Sequence, residues 1–440
     1  MKNKISYTIK LSLFISLILC VLLCAASCFG TNDTAEHLYE KEALLARIEE
    51  CGGFSASYVH SYFEEWYFPE FSASRLYSVE NAFKKQYVET LPPASELALK
   101  MKDCFFEYFF DEIDLRDKEK MTLALIDCFI YSVGDDYAIY RTPEEYDNYN
   151  EDMSGEIIGI GVQVLFDRLE NTCLIESVNF GSGAEAAGIL PGDYIIAVDD
   201  MPVSELGYEK TISAVRGEEG TRVKITVKRE DKELSFDVTR SLVVARSVTY
   251  SINEEKIGYI KITSFKDNTF EQFKEAIDSF EEAGCVGVIY DLQNNPGGYL
   301  SAVVDMLSYI APKGTQLVSF SNDYASPIKA DHPHTFLIPT VVICNRYTAS
   351  AGELFTAAIR DFGKDGMLEV TIVGETSYGK GIMQNTFSFS DGSTITMTVA
   401  YYNPPSGVNY HKIGITPDVP SEDMAGVLYD AYEEISKLIK

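Results

Sequence analysis

The stretch Val286-Gly-Val-Ile-Tyr-Asp-Leu-Gln-Asn-Asn-Pro-Gly-Gly298 opens as a short apolar run and closes in a turn. A run this brief, bounded by Gly284 and by Asn-Pro-Gly-Gly, predicts a buried strand rather than a helix. Upstream lie a strand, IGYIKITSF, and an amphipathic helix, TFEQFKEAIDSFEEAG, with Gly284 as its stop. Downstream follow the helix LSAVVDMLSYIA, the strand TVVICN and the helix SAGELFTAAIRDFG. Alternating strands and helices argue for an α/β domain with a partly parallel sheet. The turn itself exposes backbone amides ahead of a helix, which suits Gly297 or Gly298 as an oxyanion donor. A plain strand-to-helix loop accommodates two glycines equally well.

The second junction of this kind is NRYTASAGELF, Asn345 to Phe355. Ser350 stands between a buried strand and a helix, where the helix start favours a developing negative charge. The Ala351 amide, at the first turn, has no partner inside the helix and can donate to an oxyanion. Thr348 or Ser350 as a simple N-cap accounts for this stretch equally well. A serine nucleophile needs a base, and the chain has five histidines, none in a recognisable catalytic context. Lys380, in GETSYGKGIMQNTFSF, is the other candidate. A lysine acts as base only when neutral, which requires burial to depress its pKa. Gly379 and Gly381 leave room to enclose its stem, and Gln384 can orient the amine. Alone, a Gly-Lys-Gly lysine reads as a solvated turn residue.

From about Gly155 the pattern changes to short β-type runs separated by Gly, Pro and Asp turns, a β-rich module of about 90 residues. It contains Gly159-Ile160-Gly161-Val162, then SGAEAAGILPGDYIIAVDDMPV and YEKTISAVRGEEGTRVKITVKR. Together these resemble a PDZ domain. The resemblance implies that Gly159 to Gly161 bind a peptide's terminal carboxylate, and that Ile160, Val162, Ile212 and Val215 line its side-chain pocket.

DLQNNPGG, TASAGE and GKGIMQ, in that order after a PDZ-like module, resemble the C-terminal processing (tail-specific) peptidases across roughly residues 131 to 420. The resemblance implies a core of the crotonase/Clp-protease ββα type. It implies Ser350 as nucleophile, Lys380 as general base, Gln384 as its partner, and Ala351 with a glycine of the Pro-Gly-Gly turn as oxyanion donors. Neither a metal nor a cofactor is implied. The chain departs from the family pattern at Gly352, where a second serine is frequent, and at Gln293, where an arginine is usual. The spacing from Ser350 to Lys380 is also slightly long, with GKDGM as the insertion.

The rest of the chain sets the context. A net charge of −30 repels phosphate backbones and argues against a nucleic-acid partner. Lys2, Lys4 and Lys10 precede the apolar run LSLFISLILCVLLCAAS, a signal-peptide layout. Ala25-Ala26-Ser27-Cys28 resembles a lipobox, with Cys28 as the lipidated residue; a plain secretory signal or an uncleaved anchor are the other readings. Each places the protein outside the cytoplasm, at the bacterial cell surface or envelope. Scattered cysteines without short spacings argue against zinc, and one disulfide, Cys104 to Cys128, is open. Apolar residues at three- and four-residue spacing predict packed helices around MTLALIDCFIYSV, whereas GDDYAIYRTPEEYDNYNEDMSG reads as a turn-rich connection.

The expected organisation is α+β and multidomain: a signal peptide over 1–28, a helical region over 29–150, a PDZ domain over 151–245 and an α/β peptidase core over 246–440. The expected activity is serine endopeptidase, acting on proteins or peptides with free C-termini. The resemblance leaves a homodimer open. A trypsin-like protease with a PDZ domain would need an upstream His and Asp and a serine in the glycine turn, which NNPGG lacks. A non-catalytic PDZ adaptor with a degenerate core is the alternative, against which Ser350, Lys380 and Gln384 all stand intact.

Overall fold

The computed structural model describes residues 73–109, 117–167, 172–179, 181–230, 232–321, 324–421 and 426–440. Residues 1–28, on which the signal-peptide and Cys28 expectations fall, lie outside the described residues. The chain forms two compact units, one running to Tyr140 and taking in Asn385–Thr398, the other comprising Arg141–Gln384 and Val399–Lys440.

In the first unit, α1 (Ala73–Gln86), α2 (Ala94–Tyr108) and α3 (Lys118–Val133) bury one stripe each. Leu76, Val79 and Phe83, then Leu97, Met101 and Phe105, then Met121, Leu125 and Phe129 recur at helical spacing and are buried. Asp117 caps α3 by accepting from the Lys120 amide, and Gly134 ends it in the left-handed conformation. Cys104 and Cys128 are buried free thiols, so the disulfide left open by the sequence is not formed.

The second unit begins with a helix that sequence reading took for a connection. Thr142 and Glu145 form a capping box around Pro143, starting the helix Pro143–Ser154, and Gly155 stops it at positive φ. The β-rich module follows: β1 (Glu156–Gly159), β2 (Val162–Asp167), β3 (Thr172–Val178), β4 (Tyr194–Val198), β5 (Arg222–Arg229), β6 (Lys232–Thr239) and β7 (Ser241–Val244). Strands β2-β3-β4-β5-β6 make one antiparallel sheet, and β1 pairs with β7. Helix α4 (Val203–Val215) covers it, interrupted by non-helical Gly207. β2 is an edge strand, with β3 as its partner in the sheet.

The remainder is built on six strands in the order β8 (Val248–Ile252), β9 (Ile257–Ile262), β10 (Gly287–Asp291), β11 (Thr340–Cys344), β12 (Val370–Gly374), β13 (Val419–Pro420). All pairs are parallel except β8 with β9. Alternate residues serve two cores, which is why the strands read as continuous apolar runs. Val288, Tyr290, Val342 and Cys344 join a large core with residues of α5 (Thr269–Ala283), α6 (Leu300–Ile310) and α7 (Ala351–Lys364). Ile289, Val341, Ile343 and Val373 pack with Val427, Ala431 and Ile435 of α8 (Val427–Leu438). Cys344 is buried, and Cys285 is half-buried against the large core. The carboxyl ends of β10, β11 and β12 therefore point three loops, 292–298, 345–350 and 375–381, to one end of the sheet, where open α/β sheets hold their ligands.

Candidate active site

The first two loops are tied by side-chain and backbone hydrogen bonds. Asn345 accepts from the Asn294 amide at 3.0 Å and donates back to the Asn294 side chain at 2.9 Å. The buried Thr348 hydroxyl donates to the Leu292 carbonyl at 2.8 Å, and the Ala349 amide donates to the Asn295 carbonyl at 2.8 Å. Asn295, fully buried, donates to Ile262 and accepts the Gly297 amide at 2.8 Å. That commits the Gly297 N–H, whereas among the described residues no hydrogen bond engages the amides of Gly298 or Ala351. Gly297, at φ +102°, lies against the serine: a Cβ there would stand 2.7 Å from Ser350 Cβ and 2.9 Å from the Ala351 nitrogen. Its lack of a side chain is thus a steric requirement of the serine turn. Gly298 has the same need on its other side, since a Cβ would fall 2.0 Å from the Phe265 carbonyl oxygen.

Ser350 precedes α7 at φ +54° and ψ −118°. A side-chain-bearing residue adopts this conformation only at a cost of about 1–3 kcal/mol, and such strain concentrates at functional sites. The surroundings that enforce it centre on Glu353, three residues on and fully buried. One oxygen of its carboxylate accepts the Ser350 amide at 3.0 Å and the Lys380 amide at 2.7 Å. The other accepts the Ser377 hydroxyl at 2.5 Å and the Gly379 amide at 2.6 Å. Four donors fill the carboxylate and bring the backbones of Ser350 and Lys380 together. Burial nonetheless dominates, lifting the Glu353 carboxyl above its ordinary value against those donors.

Lys380 donates from Nζ to Gln384 Oε1 at 2.8 Å, the pairing expected from their spacing. The flanking glycines admit the loop 409–414. A Cβ at Gly379 would meet the amide nitrogens of Ile413 and Gly414 at 3.1 Å, and one at Gly381 would meet Asn409 Oδ1 at 2.7 Å. Two histidines are committed elsewhere. The ring nitrogens of His334 bond the Tyr309 carbonyl and Glu281, and the ring of His332 accepts the His334 amide. Three exposed apolar side chains, Tyr347, Tyr378 and Ile413, stand beside the loops that carry the serine and lysine. The Tyr378 amide donates to the Thr348 carbonyl at 3.0 Å.

In the β-rich module, Gly159, Ile160, Gly161 and Val215 are buried, and Val162 and Ile212 are half-buried. Ile160 and Val215 belong to the module's core, with Val162 packed against it. The Val215 carbonyl lies 3.8 Å from where a Gly159 Cβ would be, so the end of α4 stands beside the glycine loop. Gly161, at φ +82°, has no room for a side chain because Ser182 would be only 2.2 Å away.

Residues 157–239 match the PDZ domain and residues 256–421 match peptidase family S41. The molecule is a serine peptidase that carries a PDZ domain. The carboxy-terminal processing protease CtpA of Bacillus subtilis (strain 168) is 33% identical over 326 residues, 73% of this chain and 68% of that protein. The carboxyl-terminal-processing protease of Synechocystis sp. is 31% identical over 311 residues, 69% of this chain and 71% of its own length. A protein described as a CtpA-like serine protease in Staphylococcus haemolyticus is 34% identical over 310 residues, and this chain spans 60% of it. The chain belongs to peptidase family S41, together with these carboxy-terminal processing proteases.

Proposed function

We propose that the protein is an endopeptidase of the C-terminal processing type, working with a Ser350–Lys380 dyad on proteins held by their C-termini. The observation that carries this reading is the single Glu353 oxygen that accepts the amides of both Ser350 and Lys380. Ser350 attacks the scissile carbonyl while neutral Lys380, oriented by Gln384, takes its proton and later returns one to the leaving amine. The amides of Ala351 and Gly298 receive the oxyanion; Gly297 supplies the space rather than the open donor. Water then releases the acyl group.

In this reading the PDZ module, residues 151–245, takes the substrate's terminal carboxylate at Gly159 to Gly161. The open edge of β2 accepts the peptide as an added strand, and Ile160, Val162, Ile212 and Val215 receive the last side chain. The peptidase core is residues 246–440, and Cys28 anchors the protein outside the cytoplasm, which fractionation of a Cys28→Ser variant tests. The recognition step is tested with one labelled decapeptide ending in valine, as the free acid and as the C-terminal amide, bound to the full-length Ser350→Ala protein. The reading expects the acid to bind at least about tenfold more tightly, a loss of roughly 1.4 kcal/mol on amidation. Equal affinities would remove C-terminal recognition.

A further inference from the structure

The Glu353 carboxylate holds the dyad by the N–H groups of Ser350 and Lys380. The carbonyl ends of the same two residues are held by a different pair of side chains, both from the segment after the lysine. Tyr402, in the strand Thr394–Asn403, donates its hydroxyl to the Lys380 carbonyl at 3.3 Å. Tyr410, in the loop that follows, donates to the Ser350 carbonyl at 3.4 Å. Both are buried, their rings meet edge-on at 6.2 Å, and Asn409 pins Tyr402 by bonding its carbonyl at 2.7 Å and that of Gly381 at 2.9 Å. Burial keeps both phenols protonated, that of Tyr402 pushed up to about 12. A phenol has one proton to give. That of Tyr402 goes to the Lys380 carbonyl and that of Tyr410 to the Ser350 carbonyl.

We propose that Tyr402 and Tyr410 are positioning residues for the dyad, clamping the Lys380 and Ser350 carbonyls. Each dyad residue is then fixed at both ends of its backbone, the amide by Glu353 and the carbonyl by a tyrosine. Core filling alone would require the rings but not hydroxyls aimed at these two carbonyls.

The proposal rests on the Ser350–Lys380 reading, and Ser350→Ala is measured beside the tyrosine variants to keep the two apart. The test uses the full chain with Tyr402→Phe, Tyr410→Phe and the double variant, all of which keep the rings. Steady-state kinetics on a fluorogenic peptide are read together with the rate at which a fluorophosphonate modifies Ser350. For Tyr402→Phe, kcat and the labelling rate fall about 10- to 100-fold while KM stays within about twofold. The double variant loses less than the product of the single losses, because both hydroxyls hold the same dyad. Turnover and labelling within about twofold of wild type in both single variants overturn the proposal, as does a loss that only follows the folded fraction in thermal unfolding. If Ser350→Ala cleaves as well as wild type, the dyad reading itself falls. If Ser350→Ala is inactive and both phenylalanine variants are fast, only the tyrosine clamp falls.

Discussion

Ser350 and Glu353 divide between them what a nucleophile turn needs, one carrying the strain and the other the bonds that maintain it. Burial raises the Glu353 carboxyl's folded pKa, so the stability contributed by its protonated form is complete below the unfolded value and is lost as pH rises through the folded one. In Glu353→Gln the amide nitrogen must face either Ser377 and Gly379 or Ser350 and Lys380, and in the second case only N–H donors oppose it. The variant is expected to lose about 1–3 kcal/mol of stability. That deficit, read from urea unfolding, should narrow as pH rises above the unfolded carboxyl's value of about 4, because glutamine does not titrate. A deficit that does not change with pH would contradict the raised carboxyl. Ser350 was legible as a candidate because small residues crowd a strand-to-helix junction. Glu353 was not, since an acidic residue in a first helical turn is equally well explained by the helix dipole. Gly297 was legible as a special residue but not in its role, because the bond from its amide to Asn295 depends on how the turn closes.

At the scale of elements, three parallel strands aim their carboxyl ends at one place, and their loops are joined by Asn345, Thr348 and Glu353 rather than by packing. The strands were readable from their apolar runs, as both faces of the sheet are covered. The helix Pro143–Ser154 was misread because it has little apolar periodicity; of its residues only Met153 is buried. Its signal was in its first turn, where Thr142, Pro143 and Glu145 spell a capping box. Thr142→Ala should therefore cost about 1 kcal/mol in denaturant unfolding. A change below about 0.3 kcal/mol would show the helix to be held by its packing alone. Tyr402 and Tyr410 were hidden for the opposite reason: in an apolar strand and a polar loop, aromatic residues give no hint of what their hydroxyls reach.

For the molecule as a whole, a PDZ domain and an S41 peptidase core share one chain. The scarcity of histidine in the sequence pointed toward lysine; His332 and His334 are bonded to Tyr309, Glu281 and each other. What the sequence could not supply was proximity, since Ser350 and Lys380 are brought together by a third residue buried between their loops. The central claim is that Lys380 is the base for Ser350. Its most direct test is cleavage of an unfolded protein by the full chain and by Ser350→Ala and Lys380→Ala variants of matched fold. The account predicts that both variants lose about a thousandfold or more in kcat, and by similar factors, because the two act as a unit. A Lys380→Ala enzyme that cleaves at near the wild-type rate while Ser350→Ala is inactive would contradict it.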